Sequence, residues 1–176
     1  EYRRQRQMCI RDSSKKVGGK WSDAIQTYEK LIEIEPTDDK AWAGLGRSLS
    51  LGGQVEKAVT AYEKSLALNS SSPNVHMAYA HSLKTVGNQK EALVEYRESI
   101  KLKPELGESY WSMANLKVFK FEANEIEAME LQIKSSEISD SARIHFLFSF
   151  GKTIFLLTNN LHGRTRRRRE KHQRPT

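Results

Sequence analysis

Along Val55–Leu68, apolar residues fall at positions 55, 58, 59, 62, 66 and 68, close to the 3.6-residue period of a helix that buries one face. Ala41–Leu51 shows a similar face. Between the two stretches, Gly52-Gly53 supplies a helix C-cap and a turn. The pattern predicts two antiparallel helices joined by a short turn. One such hairpin cannot bury its apolar face alone, so it needs a neighbour to stack on.

The neighbour is written into the chain. Residues 39–72 laid over residues 73–106 place Leu49 on Leu83, Gly53 on Gly87, Ala58 on Ala92 and Tyr62 on Tyr96, each pair 34 residues apart. One step of 34 towards the N-terminus gives Gly19, Ala24, Tyr28 and Pro36, and Pro36 recurs as Pro104 two steps on. The small Ala58 and Ala92 let the helices of a hairpin approach closely. Tyr28, Tyr62 and Tyr96 are expected to fill the space between hairpins, and Pro36 and Pro104 to close the second helix of their repeats.

Trp42-x-x-Leu45-Gly46, followed by Ala58 and Tyr62, resembles the tetratricopeptide repeat. The likeness is full over residues 39–106 and partial over 19–38; in the second full repeat His76, Tyr79 and Ala80 take the Trp, Leu and Gly places. The resemblance implies an all-α, right-handed helical-hairpin solenoid of about three hairpins, packed through Ala24, Tyr28, Trp42, Leu45, Gly46, Ala58, Tyr62, Tyr79, Ala80, Ala92 and Tyr96. It also implies a concave face lined by the first helices. The groove-facing places hold Lys40, Ala43, Arg47 and Ser50, then Asn74, Met77, His81 and Lys84, then Glu108, Trp111, Asn115 and Val118.

Residues 107–152 are expected to be divergent repeat-like helices. Tyr110, Met113 and Ala114 hold first-helix places, but Phe121 stands where the turn glycine belongs and Ile126 replaces the small alanine. A helix is expected over Glu125–Ile133 and another from near Ser141, with Ser139-Asp140 as its cap. The segments Tyr110–Lys117 and Arg143–Lys152 resemble "YWSLANLK" and "RIHLHFALGK" of bacterial tetratricopeptide-containing sulfotransferases, a likeness that covers roughly residues 21–152. That resemblance implies a parent chain with a catalytic domain beyond these repeats. The phosphosulfate-binding loop such a domain needs does not appear in this sequence: Gly44-Leu45-Gly46 lies in a helix and lacks a third glycine.

Charge changes the picture at the two ends. Of the formal net +7, residues 1–20 carry +5 and residues 163–176 carry +6, which leaves −4 on residues 21–162. The periodic body is therefore mildly acidic, and its charge does not point to nucleic acid. Residues 1–18 show none of the first-helix signature and read as a disordered or extraneous segment; Met8–Ser13 resembles a translated sequencing-adaptor end. Residues 153–176 read as a basic tail, disordered or out of frame, and only a genuine arginine-rich tail there would bind RNA.

The remaining chemistry is sparse. Cys9 is the only cysteine, which excludes an internal disulfide and a cysteine-based zinc site and makes a reducing cytoplasm the expected home. No run of about 18 apolar residues offers a membrane span. His76 and His81 are five apart, off a common helix face, so neither a metal nor a cofactor is expected. A Ser–His–Asp set drawn from His81, Ser82 and Asp140 is no more than any chain this size provides.

The function expected is binding of a protein or peptide without catalysis. Lys40, Arg47 and Lys84 would grip a carboxylate while Met77 and Trp111 supply apolar pockets, assisted by Asn74, His81 and Asn115. The same charges can also simply solvate a helix face, and Trp111 can pack on the following helices.

Overall fold

The computed structural model describes residues 21–116 and 119–172, with Leu157 and the residues after Thr158 as backbone alone. The expectations placed on Met8–Ser13, Cys9, Gly19, Lys117 and Val118 fall outside the described residues. All regular structure among the described residues is α-helical. Eight helices follow in order: α1 over residues 21–34, α2 Asp39–Leu51, α3 Val55–Leu68, α4 Pro73–Thr85, α5 Gln89–Leu102, α6 Gly107–Ala114, α7 Ala123–Lys134 and α8 Asp140–His172. The described helices divide into two compact units, α1–α5 and α6–α8.

In the first unit each helix from α2 onward packs on the next. α2 pairs with α3, α3 with α4, and α4 with α5. The helices start and stop where local chemistry dictates. Asp38 caps α2, its carboxylate accepting from the backbone N–H of Lys40 at 2.9 Å and of Ala41 at 3.2 Å. Pro73 stands at the start of α4, where its missing N–H costs nothing. α2 and α4 end in the same six-residue motif. Gly53 (φ 80°) donates to the Ser50 carbonyl and Gln54 to that of Leu49; 34 residues on, Gly87 (φ 91°) donates to Lys84 and Asn88 to Leu83. The left-handed backbone at Gly53 and Gly87 is what makes glycine the fitting residue there.

The core of this unit lies along the repeat positions. Ala58, Ala80, Ala92 and Tyr96 are fully buried, and Leu45, Leu49, Tyr62, Tyr79 and Leu83 nearly so. Ala24, Tyr28 and Trp42 are half-buried. Tyr62 on α3 reaches Tyr79 on α4, with ring centroids 6.4 Å apart, so it bridges consecutive hairpins. α1 and α5 each stop two residues short of Pro36 and Pro104, and α3 stops at the matching place before Ser70 without a proline.

The second unit departs from the hairpin plan. α6 ends at Ala114 after eight residues, whereas the first helices α2 and α4 have 13. It packs chiefly on α8 through Tyr110, whose ring lies 5.0 Å from that of Phe146. The sequence predicts a helix over Glu125–Ile133; α7 covers it with two extra residues before and one after, opened by a capping box between Glu122 and Glu125. Ser139 caps α8, accepting from Ala142 N–H at 3.2 Å. Arg143 then turns its guanidinium back onto the last carbonyls of α7, donating to Ile133 and to Ser135, the latter at 2.8 Å. A fixed cation at a helix C-terminus satisfies both hydrogen bonding and the helix dipole. α8 continues through His172, although the sequence reads residues 153–176 as lacking helical period. The physical reason is that leucine, arginine and lysine are good helix formers, and the first proline beyond Pro104 is Pro175.

Candidate functional site

Two first helices, α2 and α4, frame a cavity of about 470 Å³ in the first unit. Ala43, Gly44 and Arg47 line it from α2, and Asn74, Val75, Met77 and Ala78 from α4. Tyr28 of α1 and Tyr62 of α3 close it. Its shape follows from small residues at one repeat place: Gly44 and Ala78 are 34 apart and leave room between the helices. A Cβ on Gly44 would fall 2.3 Å from the Tyr28 ring, so that ring occupies the space a side chain would take.

The lining is largely apolar, with two polar groups. Arg47 and Asn74 are both exposed. Among the described residues no carboxylate lies within ion-pair distance of Arg47. Arg47 does act on Tyr62: burial pushes that phenol up to about 12, and the nearby guanidinium opposes the rise.

Four of the groove residues expected from sequence, Ala43, Arg47, Asn74 and Met77, therefore come together around one hollow. Lys40 lies on the first turn of α2 and Lys84 on the last turn of α4, neither in the lining. Ser50 and His81 are half-buried, and the His81 ring meets Tyr96 edge-on at 5.4 Å. The Ser82 hydroxyl donates to the Ala78 carbonyl at 3.2 Å, in the manner of a structural helix serine.

The second unit holds the other expected residues. Trp111, 38% exposed, lies against His145 and Phe148 of α8. Asn115 donates to the Trp111 carbonyl at 2.9 Å and accepts from Lys152 Nζ at 3.3 Å, so its amide serves its own unit. Glu108 lines a different hollow of about 300 Å³ with Glu105, Glu137 and His145. No group of three or more His, Cys, Asp or Glu among the described residues is placed to hold a metal ion. No described helix is long and apolar enough to cross a membrane.

Sequence reading did not name Tyr28, Gly44, Tyr62, Val75 and Ala78 as cavity residues; the two tyrosines already had a packing role. The paired Gly44 and Ala78 were the available signal.

A second polar cluster sits beside the cavity. His76 is 7% exposed; its Nδ1 is 2.7 Å from Glu95 Oε2 and its Nε2 is 2.9 Å from the Ser70 carbonyl. The hydrogen bond to Glu95 holds the imidazole pKa above its ordinary value, against a lowering by burial; the Ser70 carbonyl and the charges of Glu95 and Glu98 add to the rise. Thirty-four residues earlier, Trp42 Nε1 donates to the Pro36 carbonyl at 2.9 Å. His76 thus makes the indole's hydrogen bond with one nitrogen and holds a carboxylate with the other.

The tetratricopeptide repeat family model matches residues 18–82, and a second model of the same description matches residues 73–106. Residues 18–106 are tetratricopeptide repeats. The fold recurs in the crystal structure of MamA, at 18% identity over 81% of this chain and 71% of that one, with a TM-score of 0.53. It recurs also in the RS-1 MamA double mutant, at 16% identity over 87% and 95% of the two chains and a TM-score of 0.54. TTC0263, a tetratricopeptide protein of Thermus thermophilus, matches at 14% identity over 74% and 73%, with a TM-score of 0.56. At these identities the likeness shows the tetratricopeptide fold alone. No curated protein matches the chain significantly.

Proposed function

We propose that these tetratricopeptide repeats bind an extended peptide in the cavity between α2 and α4. The observation that carries this reading is the cavity itself: about 470 Å³, largely apolar, with Arg47 at its rim free of any described carboxylate. Met77, Val75, Ala43 and the two tyrosines take an apolar side chain of the ligand. Arg47 pairs with a ligand carboxylate, and the Asn74 amide bonds its backbone. Lys40 and Lys84, on the outer turns, draw an acidic ligand in from longer range. The lining holds no nucleophile paired with a base, so binding rather than catalysis is what it offers.

Selection of random 12-residue peptides on the purified protein tests this. Enriched peptides are expected to carry an apolar residue within two positions of Asp or Glu. Arg47→Glu and Met77→Asp should each weaken their binding at least about tenfold, roughly 1.4 kcal/mol, while Lys57→Glu, on the exposed outer face of α3, should not. Enrichment without an acidic residue, or indifference to Arg47→Glu, overturns the reading.

We further propose a cytoplasmic parent chain in which these repeats accompany a sulfotransferase-type domain. What supports the second domain is the wording of Tyr110–Lys117 and Arg143–Lys152. Reading the genomic DNA on either side of this coding region tests it.

A further inference from the structure

We propose that His76 is held as an imidazolium between Glu95 and the Ser70 carbonyl, and that this pair is a pH-sensitive latch on the start of α4.

Neutral imidazole has one donor nitrogen and one acceptor nitrogen. His76 faces acceptors on both sides, a carboxylate at 2.7 Å and a carbonyl at 2.9 Å. Only the doubly protonated ring donates to both, and with the side chain 9% exposed, water cannot make up a lost bond cheaply. The charged groups facing the ring are Glu95 and Glu98, both on α5. The acid that α3 presents nearby, Glu63, is taken by the Tyr79 hydroxyl at 2.8 Å.

The chain contains its own control. The places of His76 and Glu95 are those of Trp42 and Ala61 one repeat earlier, each 34 residues away. A large indole and a small methyl in one hairpin are thus exchanged for a smaller ring and a carboxylate in the next. The exchange keeps the ring's hydrogen bond to the preceding loop and adds a titratable one to α5. The latch tethers α4 at its first turn, where Asn74, Val75, Met77 and Ala78 form one wall of the cavity. Loss of the proton frees one of the two bonds and loosens that wall.

The direction with pH follows. The folded state favours the protonated ring, so the contribution is complete below the ordinary histidine value of 6.5 and is lost as pH rises through the raised folded value. The consequence for peptide binding rests on the groove reading above; the latch does not.

Two ligand-free measurements test it. In nitrogen-detected NMR, His76 should show protons on both ring nitrogens at pH 6.5 and titrate above that value. A midpoint at or below 6.5, or a neutral ring at pH 6.5, overturns the proposal. Between pH 6 and 9 the melting temperature should fall by roughly 2–6 °C more in the native chain than in the His76→Trp/Glu95→Ala double variant, which copies the earlier repeat. Parallel curves overturn it. If the double variant does not fold, Glu95→Gln serves: the His76 midpoint should drop towards 6.5, and an unchanged midpoint is fatal. Loss of peptide binding with these readouts intact would count against the groove alone.

Discussion

The Cβ that Gly46 lacks would stand 2.9 Å from the ring of Tyr62. The glycine on α2 and the aromatic on α3 therefore share one space, and neither can be changed without the other registering it. Gly46→Ala should gain about 1 kcal/mol in helix propensity. Tyr62 is 3% exposed and has no room to retreat, so overpacking of about 1–3 kcal/mol should win. Urea denaturation should show a net loss of stability.

Tyr62→Ala empties the same space from the other side. The expected cost is roughly 3–4 kcal/mol, the range for truncating a buried aromatic. A change below about 0.5 kcal/mol in a denaturant melt, within the range of an ordinary surface substitution, would mean that the ring is not holding two hairpins together.

Three of the buried phenols, Tyr62, Tyr79 and Tyr110, should give the protein an alkaline signature. Burial pushes Tyr62 and Tyr110 up to about 12 and Tyr79 higher still, with the Glu63 hydrogen bond adding to the last. Each favours the un-ionised form in the folded state, so its contribution is complete below pH 10 and is lost as pH climbs through the raised value, about 12 for Tyr62 and Tyr110. Absorbance at about 295 nm, a tyrosinate band, should show these residues ionising later than free phenol near pH 10, together with unfolding.

The turn glycines should separate from their neighbour. Gly53→Ala and Gly87→Ala force a side chain into left-handed backbone and should each cost about 1 kcal/mol or more. Gly52→Ala, where φ is −79°, should cost much less. Thermal melts of the three variants decide it.

Arg143→Ala should strip two hydrogen bonds from the C-terminus of α7. A loss of about 1–3 kcal/mol is expected, as for bonds from a charged donor. Hydrogen exchange should quicken in the last turn of α7 and leave α2 and α3 unchanged.

The parts of the fold that repeat were legible because they were written twice. Ala58 over Ala92 and Gly53 over Gly87 gave phase as well as type, so the order and phase of the hairpins over residues 39–102 could be read, although α2 begins two residues before Ala41. The same phase brought Ala43, Arg47, Asn74 and Met77 onto one side. It could not show that Tyr28 and Tyr62 would reach under Gly44 and Gly46 into the same space, since that depends on how far a ring extends between helices. The pairing of His76 with Glu95 was hidden for a related reason. They lie 19 residues apart on different helices, and the repeat alignment sets them against Trp42 and Ala61, where nothing titrates. The short α6 carried no warning either: no glycine or proline stands near Asn115 to end it. Nor did composition reveal the reach of α8, because an arginine-rich stretch reads the same to a charge count whether coiled or extended.

The matched bond patterns at Gly53 and Gly87 have a genetic corollary. The stretch between them begins and ends on the same joint, so an unequal crossover there would insert or remove a whole hairpin while creating no new junction for the backbone to solve. Such an exchange changes the gene by 34 codons and leaves every turn of this kind with the same backbone bonds.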